Sequence, residues 1–538
     1  MFNSIFASIK TIIVKTVSSR LDKLFPFSIF VIGLIISFYC YNKPLGDFSN
    51  YYFGSKILMS GQNVWNEIYD VASFNKNVIN EGFQGLFLSH TSVPPQSLVF
   101  YTPFSLIDNP YLSKFIFNIL GVCIFSFVIL LLQTKGKLIL NHKWILLLFF
   151  IVPLYYNLLF GQTYLYIATV VLVLIQASNR WMHLTAILLA ISISIKITPI
   201  VFLLYYFLKK QYRIVFYSLA YSVVIFVFSW FIVGEETMYN FFKYILPKLL
   251  DGYVNDPFSS SYHNVITILR DCFLYDEVLN PSVYASLTTS MVGLINAIIC
   301  GIILLVTLQS LNSEKISKSN AFIVLIVLMN IISGYTSTYS LLIIFPAILF
   351  NQERKSSLFY ILLALICFLP PRMMENAGPL IAHYKLYLFF GLFLVLISED
   401  WVLRISKGSW LVLSVFTVLS IVKIAVSNQR PALLYYQPKV LNEHFIVDAT
   451  ITNVQLSYVF YNYSGYNEKG LIDSNLKDNC SGYLNEFYKT SLFFKDGTQI
   501  KPIGCMGDTV VVLSDYNRGP GLYNLFKLQK KEYQKLIH

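Results

Sequence analysis

Apolar runs recur from Leu24 to Val426 of this 538-residue chain, and they constrain its fold more than any other feature. In hydrocarbon every backbone N–H and C=O must be paired within the segment, so such runs have to be helices. Segment one is Leu24 to Tyr41, about the length needed to span a bilayer. Lys10, Lys15, Arg20 and Lys23 precede it, so residues 1–23 read as a cytoplasmic, basic N-terminus. No small-residue cleavage site follows this leader. Asp47 then falls on the outer face.

The loop Asn42 to Ser113 carries amphipathic pieces suited to helices lying in the interface. Further spans are expected at Phe115–Leu132, Trp144–Phe160 and Thr163–Ala177, with a tight outer turn at Gly161-Gln162-Thr163. The runs Leu184–Ile195 and Ile197–Leu208 are flanked on both sides by cytoplasmic charges, Arg180 before and Lys209, Lys210 and Arg213 after. Neither run alone crosses about 30 Å at 1.5 Å per residue. A re-entrant pair with Lys196 and Pro199 at its turn is expected. Later spans follow to Val426. The fold class is an α-helical polytopic membrane protein with about 11–13 membrane helices including the re-entrant pair.

Composition agrees. Charged residues are 13% of the chain, against roughly 25% in soluble domains. The net charge of +12 comes from Lys and Arg in short loops, as the positive-inside rule requires, so nucleic acid is not the expected partner. The chain reads as a multi-pass protein of the cell membrane. From about Arg430 alternating runs such as HFIVDATI and DTVVVLSD appear, with turn signals NYSGYN and KDGTQ. Residues 430–538 are expected to form a small α/β or β-rich extracytoplasmic domain ending in a helix over NLFKLQKKEYQKLIH. Cys480 and Cys505 lie in this polar region and would form a disulfide if it is exported. The other five cysteines lie in or near apolar segments at no metal-ligand spacing.

The polar residues within the transmembrane domain, 24–429, gather on the outer side. These are Asp47, His90, Gln162, His263, Asn264, Arg270, Tyr335 and Arg372, with Lys196 pointing towards them. The stretch GDFSNYYFGSKILMSG places Asp47 among Phe48, Tyr51, Tyr52 and Phe53. An acid so placed suits a general base acting on a lipid-borne substrate. The plainer reading is a helix N-cap, for which Asp is a preferred residue. One acid with several cations fits an anionic, phosphate-bearing substrate: Asp47 would take the acceptor proton, and Lys196, Arg270 or Arg372 would offset phosphate charge.

Four stretches, in order, carry a family resemblance: GDFSNYYFGSKILMSGQNVW, VPPQSLVFYTPFSL, LLFGQTYLYIATVVLVL, and SNRW followed by ISIKITPIVFLLYYFLKKQYR. Over Leu24 to Arg270 the chain resembles GT-C glycosyltransferases that use polyprenyl-phosphate sugars, within the glycosyltransferase 87, mannosyltransferase-like group. The resemblance implies a GT-C fold and inverting transfer of a hexose, mannose by analogy, from a polyprenyl-phosphate sugar to a lipid-linked or extracytoplasmic acceptor. It implies Asp47 as the base, no nucleotide sugar in the site and no cofactor. Lys196, Gln162, His263, Asn264, Arg270, Tyr52, Arg372 and His90 are the expected substrate-binding residues. The family's third-outer-loop pattern is matched only loosely, by SSSYHNVITILR, and the C-terminal domain departs from a typical member. Asp47 has no acidic partner within two residues, so metal-independent transfer is expected.

Each residue has a plainer reading. His90 and His383 suit interfacial hydrogen bonding, Gln162 can satisfy a tight turn, and Arg270 and Arg372 can snorkel to headgroups. Lys196, flanked by Ile195 and Ile197, is harder to explain without a function. The competing functions are a transporter or flippase for lipid-linked glycans, a surface-polysaccharide ligase, and a non-catalytic scaffold. A transporter would spread ionisable residues through the membrane core and show repeated halves, and neither is present here.

Overall fold

A computed structural model describes residues 24–537 apart from 84–85, 87, 90–92, 135–142, 177–180, 254–256, 315, 334–336, 352–354, 371–372, 375–376, 401–405, 428–432, 437–444, 453–454, 463–464, 473–491 and 495. His90, Tyr335, Arg372 and Cys480 lie outside the described residues.

The chain enters through α1, Leu24–Tyr39. Four short helical pieces follow: α2 (Phe48–Met59), a π turn at Trp65–Tyr69, α3 (Val71–Asn80) and α4 (Ser97–Ser105). Asp70 stands before α3 in extended backbone and accepts from Ser73 N at 3.0 Å, an ordinary N-cap. Phe48, Tyr51, Phe53, Phe74, Leu98 and Tyr101 form an apolar core of their own beneath these pieces.

Two long helices come next, α5 (Pro110–Thr134) and α6 (Lys143–Phe160), then α7 (Tyr164–Gln176). The break between α6 and α7 is made by Gly161, whose φ of +62° ends the helix. The segment read as a re-entrant pair consists of α8 (Met182–Ile195), a 3₁₀ turn at Thr198–Val201 and α9 (Phe202–Leu208). Helix α10 (Tyr212–Val233) follows almost at once. His183, at the start of α8, packs on Tyr217 at 4.5 Å and meets the Tyr221 hydroxyl at 3.0 Å. The chain therefore returns to the level from which α8 left, with Lys196 at the apex.

Gly234, at φ +99°, ends α10. The next loop carries α11 (Glu235–Asn240), α12 (Leu246–Leu250) and α13 (Val265–Phe273). The rest of the helical body is α14 (Thr289–Asn312), α15 (Lys318–Ile332), α16 (Ile344–Leu349), α17 (Ser357–Phe368), the single turn α18 (Pro379–Ala382), α19 (Tyr384–Asp400) and α20 (Lys407–Ser427). Among the described residues α5, α6, α10, α14 and α20 are long and apolar enough to cross a membrane, and eight further apolar helices are shorter.

Helix α15 sits at the centre. Residues Ala321 to Met329 are apolar and buried on every side, as only a core position permits. Helices α10 and α20 present the opposite pattern: Phe216, Phe231, Trp410 and Val418 are exposed, as on a lipid-facing surface. Ser340 donates to Asn330 Oδ1 at 3.0 Å, and Asn351 to Asn320 Oδ1 at 2.7 Å, so the segment after α15 is pinned to both ends of that helix. This pinning fixes Tyr339.

The C-terminal region is β-rich. Strands β1 (Leu434–Tyr435), β2 (Phe445–Thr452), β3 (Gln455–Asn462), β4 (Gly465–Ile472), β5 (Leu492–Phe493), β6 (Gln499–Met506), β7 (Thr509–Ser514) and β8 (Asn524–Gln529) make two antiparallel sheets, ordered β1-β8-β7-β6-β5 and β2-β3-β4. The expected terminal helix is half the predicted length. Residues Asn524 to Gln529 form β8, and only α21, Lys530–Ile537, is helical. Leu525 packs into one apolar cluster, and Phe526 and Leu528 into another, so this strand is buried on both faces. Cys505 is disulfide-bonded, while Cys40, Cys123, Cys272, Cys300 and Cys367 are free.

Candidate active site

Two glycines bring the α1–α2 junction against the α6–α7 turn. Gly46 has φ +59°, and a Cβ there would lie 2.9 Å from Phe160 Cα. Gly161 has φ +62°, and a Cβ there would lie 2.5 Å from Phe48 Cβ. Each glycine faces the neighbour of the other, so the two turns interlock at backbone distance. Lys114 of α5 locks them from below: its Nζ donates to Pro44 O at 2.8 Å and to Leu159 O at 2.9 Å.

This interlock sets Asp47 against Gln162. Asp47 precedes α2 but does not cap it: its backbone is already helical (φ −65°, ψ −20°), and its carboxylate makes no cap bond. Gln162 Nε2 donates to Asp47 Oδ2 instead. The Tyr339 hydroxyl lies within reach of the same carboxylate. Lys196 acts on it through space rather than as a direct ion pair, and the Lys196 ammonium sits over the Tyr164 ring, 5.3 Å from its centroid. Burial pushes the Asp47 carboxyl above the usual carboxylate range, against the opposing pull of Lys196, Gln162 and Tyr339. A carboxylate so raised is a better proton acceptor.

The wall around the acid is aromatic. Tyr51 of α2 stacks on Tyr101 of α4 with centroids 4.1 Å apart and planes 7° from parallel. Tyr101 borders Thr163. From this point a cavity of about 450 Å³ runs between α4, α5, α7 and α8, from Tyr101, Thr163 and Ile195 at one end to Val128 and Val173 at the other. Its lining is almost wholly apolar, with Phe104, Phe117, Ile124 and Val170 along its length.

A second polar group adjoins Tyr339. Lys385, at the start of α19, is buried and donates to Thr338 Oγ1 at 3.2 Å. His263 is buried beside it, stacked on Phe389. Burial, then Lys385 and His383, hold the His263 imidazole well below its ordinary pKa, so it is neutral at pH 7. His383 reaches Asp271 Oδ2 at 3.2 Å.

The sequence-predicted residues thus divide. Asp47, Gln162 and Lys196 come together. Asn264 caps α13, accepting from Thr267 N at 3.0 Å and Thr267 Oγ1 at 2.8 Å. Tyr52 points away from Asp47, its hydroxyl donating to Ile107 O at 2.7 Å and Asp108 O at 3.0 Å. Arg270 holds the turn after α12: it donates to Asp251 O and lies 3.9 Å over the Tyr253 ring. Tyr101, Tyr164, Tyr339 and Lys385 were not among the site residues expected from the sequence, and Tyr51 was named only as one of the aromatic residues around Asp47. Their joint signal is a tyrosine or lysine at the end of an apolar run, which is too common to select them. Among the described residues no three His, Cys, Asp or Glu side chains gather as a metal site would require.

Residues 93–334 match the model of glycosyltransferase family 87. That span is what the chain shares with the family, and among the described residues it holds α4 to α15. No curated protein and no solved structure matches the chain. The matched span holds Tyr101, Gln162, Lys196, His263 and Arg270. It begins after Asp47 and ends before Tyr339, so the acid and its tyrosine neighbour lie on either side of the matched span. The resemblance read over Leu24 to Arg270 overlaps the match from Val93 onward.

Proposed function

We propose that this glycosyltransferase moves a hexose, mannose by the family resemblance, from a polyprenyl phosphate to a lipid-linked or extracytoplasmic acceptor. Asp47 serves as general base. The observation that carries the reading is an apolar cavity whose end residues Thr163 and Ile195 are the chain neighbours of Gln162 and Lys196, next to an acid and an ammonium that do not close on each other. A prenyl chain suits the cavity lined by Phe104, Phe117 and Val170. Its phosphate then lies at Lys196, whose described contact is the face of Tyr164. The sugar occupies the space between Lys196 and Asp47.

The chemistry is a single displacement. The acceptor hydroxyl gives its proton to Asp47 as its oxygen bonds to the anomeric carbon. The bond from that carbon to the phosphate oxygen breaks, and polyprenyl phosphate leaves with its charge offset by Lys196. Attack opposite the leaving group inverts the anomeric configuration. Gln162 holds the carboxylate in place, and Gly46 and Gly161 hold the two turns that carry the pair. The transfer needs no cofactor or metal in this reading. The N-terminus is cytoplasmic, and the site and the C-terminal domain are extracytoplasmic.

Sugar transfer in detergent from a panel of polyprenyl-phosphate hexoses tests this. Wild type should release polyprenyl phosphate in step with glycosylated product, and folded Asp47→Ala should not. Binding of the lipid sugar without any transfer would move a transporter or flippase ahead. Full activity in Asp47→Ala would remove the base assignment.

A further inference from the structure

Lys385 lies in the first turn of α19, only 1% exposed, and its ammonium donates to Thr338 Oγ1 at 3.2 Å. Among the described residues no carboxylate pairs with it: Asp271 meets His383 Nε2 at 3.2 Å instead. The described titratable groups that act on Lys385 are His263 and the Cys367 thiol, and neither is an anion at pH 7. An ammonium buried without a counter-charge costs stability. A methionine would fill the same space without that cost, so stability does not account for this lysine.

Its hydrogen bond leads to the site. Thr338 opens the 3₁₀ turn Thr338–Ile343, and the next residue is Tyr339, whose hydroxyl reaches the Asp47 carboxylate. On the other side of Tyr339, Ser340 donates to Asn330 Oδ1 of α15 at 3.0 Å. Both chain neighbours of Tyr339 are therefore held by side chains, one from α19 and one from α15. The Tyr339 ring meets those of Tyr164 and Phe160 at centroid distances of 5.4 and 6.1 Å. The backbone hydrogen bonds of a 3₁₀ turn have poorer geometry than those of an α-helix, so such clamps decide where its residues stand.

We propose that Lys385 is a positioning residue. Through Thr338 it holds the Tyr339 phenol on the Asp47 carboxylate, and so it orients the base. This rests on Asp47 being the base. Unlike Lys196, Lys385 touches neither donor nor acceptor in this scheme.

The test is Lys385→Met in the full chain, with kcat, KM for the polyprenyl-phosphate hexose, a pH series and thermal unfolding on the same samples. Turnover should fall about tenfold through misplacement of the base, while the donor KM stays unchanged. The melting temperature should hold or rise, because a buried charge has gone. Tyr339, like Lys196 and Gln162, draws the Asp47 pKa down against the effect of burial, so losing its grip should move the acidic limb to higher pH. Tyr339→Phe should act alike, and in that background Lys385→Met should change turnover by no more than about twofold. Thr338→Val cuts the same link with the shape kept, and it carries the test by kcat and pH limb if Lys385→Met does not fold. A lower melting temperature with wild-type kcat and limb marks a structural lysine and overturns the proposal. A raised donor KM at wild-type kcat, or full additivity with Tyr339→Phe, overturns it as well. Asp47→Asn on the same day separates the two readings. Full turnover there removes the base and this role together, whereas an inactive Asp47→Asn beside an unperturbed Lys385→Met removes the role of Lys385 alone.

Discussion

Two regions of the protein use the same chemical parts, an aspartate and a lysine from a distant segment, and arrange them to opposite ends. Where residues 430–538 meet helix α12 and the loops before α3 and α14, the described pairs are closed. Lys248 of α12 bonds Asp515 Oδ1 at 2.6 Å, with both side chains at most 3% exposed. Asp515 also accepts from Gln499 N at 2.7 Å and Gly521 N at 3.3 Å. Asp276 takes the Tyr435 hydroxyl at 2.7 Å and Asn517 Nδ2 at 2.8 Å, and Lys501 pairs with Asp70. Phe493 stacks on Tyr244 at 4.2 Å, and Gly497 passes so close that a Cβ would lie 2.3 Å from Tyr244 O. At Asp47 the lysine stands off, and the carboxylate is held by the Gln162 amide with the Tyr339 phenol within reach. A closed pair fixes two segments together. An open pair leaves both charges available to a third party.

The largest expected effect separates these two uses. Asp47→Asn keeps shape and hydrogen-bonding capacity but cannot take a proton, so turnover should fall about 10²–10⁴-fold with the melting temperature unchanged. Asp515→Ala strands Lys248 in a buried site, a loss of about 3–5 kcal/mol. It should lower the melting temperature and open residues 430–538 to protease, while turnover per folded molecule persists. Transfer kinetics with thermal unfolding on the same samples decide it, and the comparison breaks if the two variants exchange phenotypes.

Lys196→Met should come next. If the ammonium offsets charge on the departing phosphate, its loss should lower turnover about 10²-fold. Lys501→Met, on the closed side, should leave turnover within twofold. Equal effects in the two lysines would mean that the standoff at Asp47 has no catalytic meaning.

Gly161→Ala should act through geometry alone. The left-handed backbone costs about 1–2 kcal/mol for any residue with a Cβ, and the clash with Phe48 must shift the α1–α2 junction that carries its neighbour Asp47. A displacement of about 1 Å at a reacting group is enough for a 10²-fold loss, so a drop of at least tenfold is expected. Gly61 is the control: it also has positive φ, +74°, but nothing lies within 4 Å of its Cβ position. Gly61→Ala should cost stability and spare turnover.

These expectations also show what the sequence makes legible. Asp47, Gln162 and Lys196 each stand out alone, as an acid at a membrane edge, an amide in a tight turn and a cation between isoleucines. Their meeting depends on Gly46 and Gly161 packing on each other's neighbours, a contact across more than a hundred residues with no local pattern. Tyr51 and Tyr52 are adjacent in sequence. Only the direction in which α2 turns its faces decides that Tyr51 joins the site and Tyr52 binds the Ile107 carbonyl. Asp70 and Asp47 both precede helices in the segment between α1 and α5. The caps separate only through backbone angle, extended for Asp70 and helical for Asp47. In the C-terminal region β8 lacks the alternation of a half-exposed strand because both its faces are covered, so its residues merge into the pattern of α21.

The smallest expected effect is the most specific to the open pair. The base must be ionised to work, so kcat/KM should fall as pH drops through the Asp47 pKa, which burial places above the ordinary carboxylate value. Gln162 donates to the ionised form and so draws that pKa down. Gln162→Leu removes the donor, and the acidic limb of the profile should move to higher pH while the plateau rate above it changes little. Lys196→Met should move the limb in the same direction, because a nearby positive charge also favours the carboxylate. A pH series on the three proteins measures it. If the limb stays fixed in both variants, the titrating group is not the carboxylate that Gln162 and Lys196 face, and the open pair at Asp47 loses its claim to the chemistry.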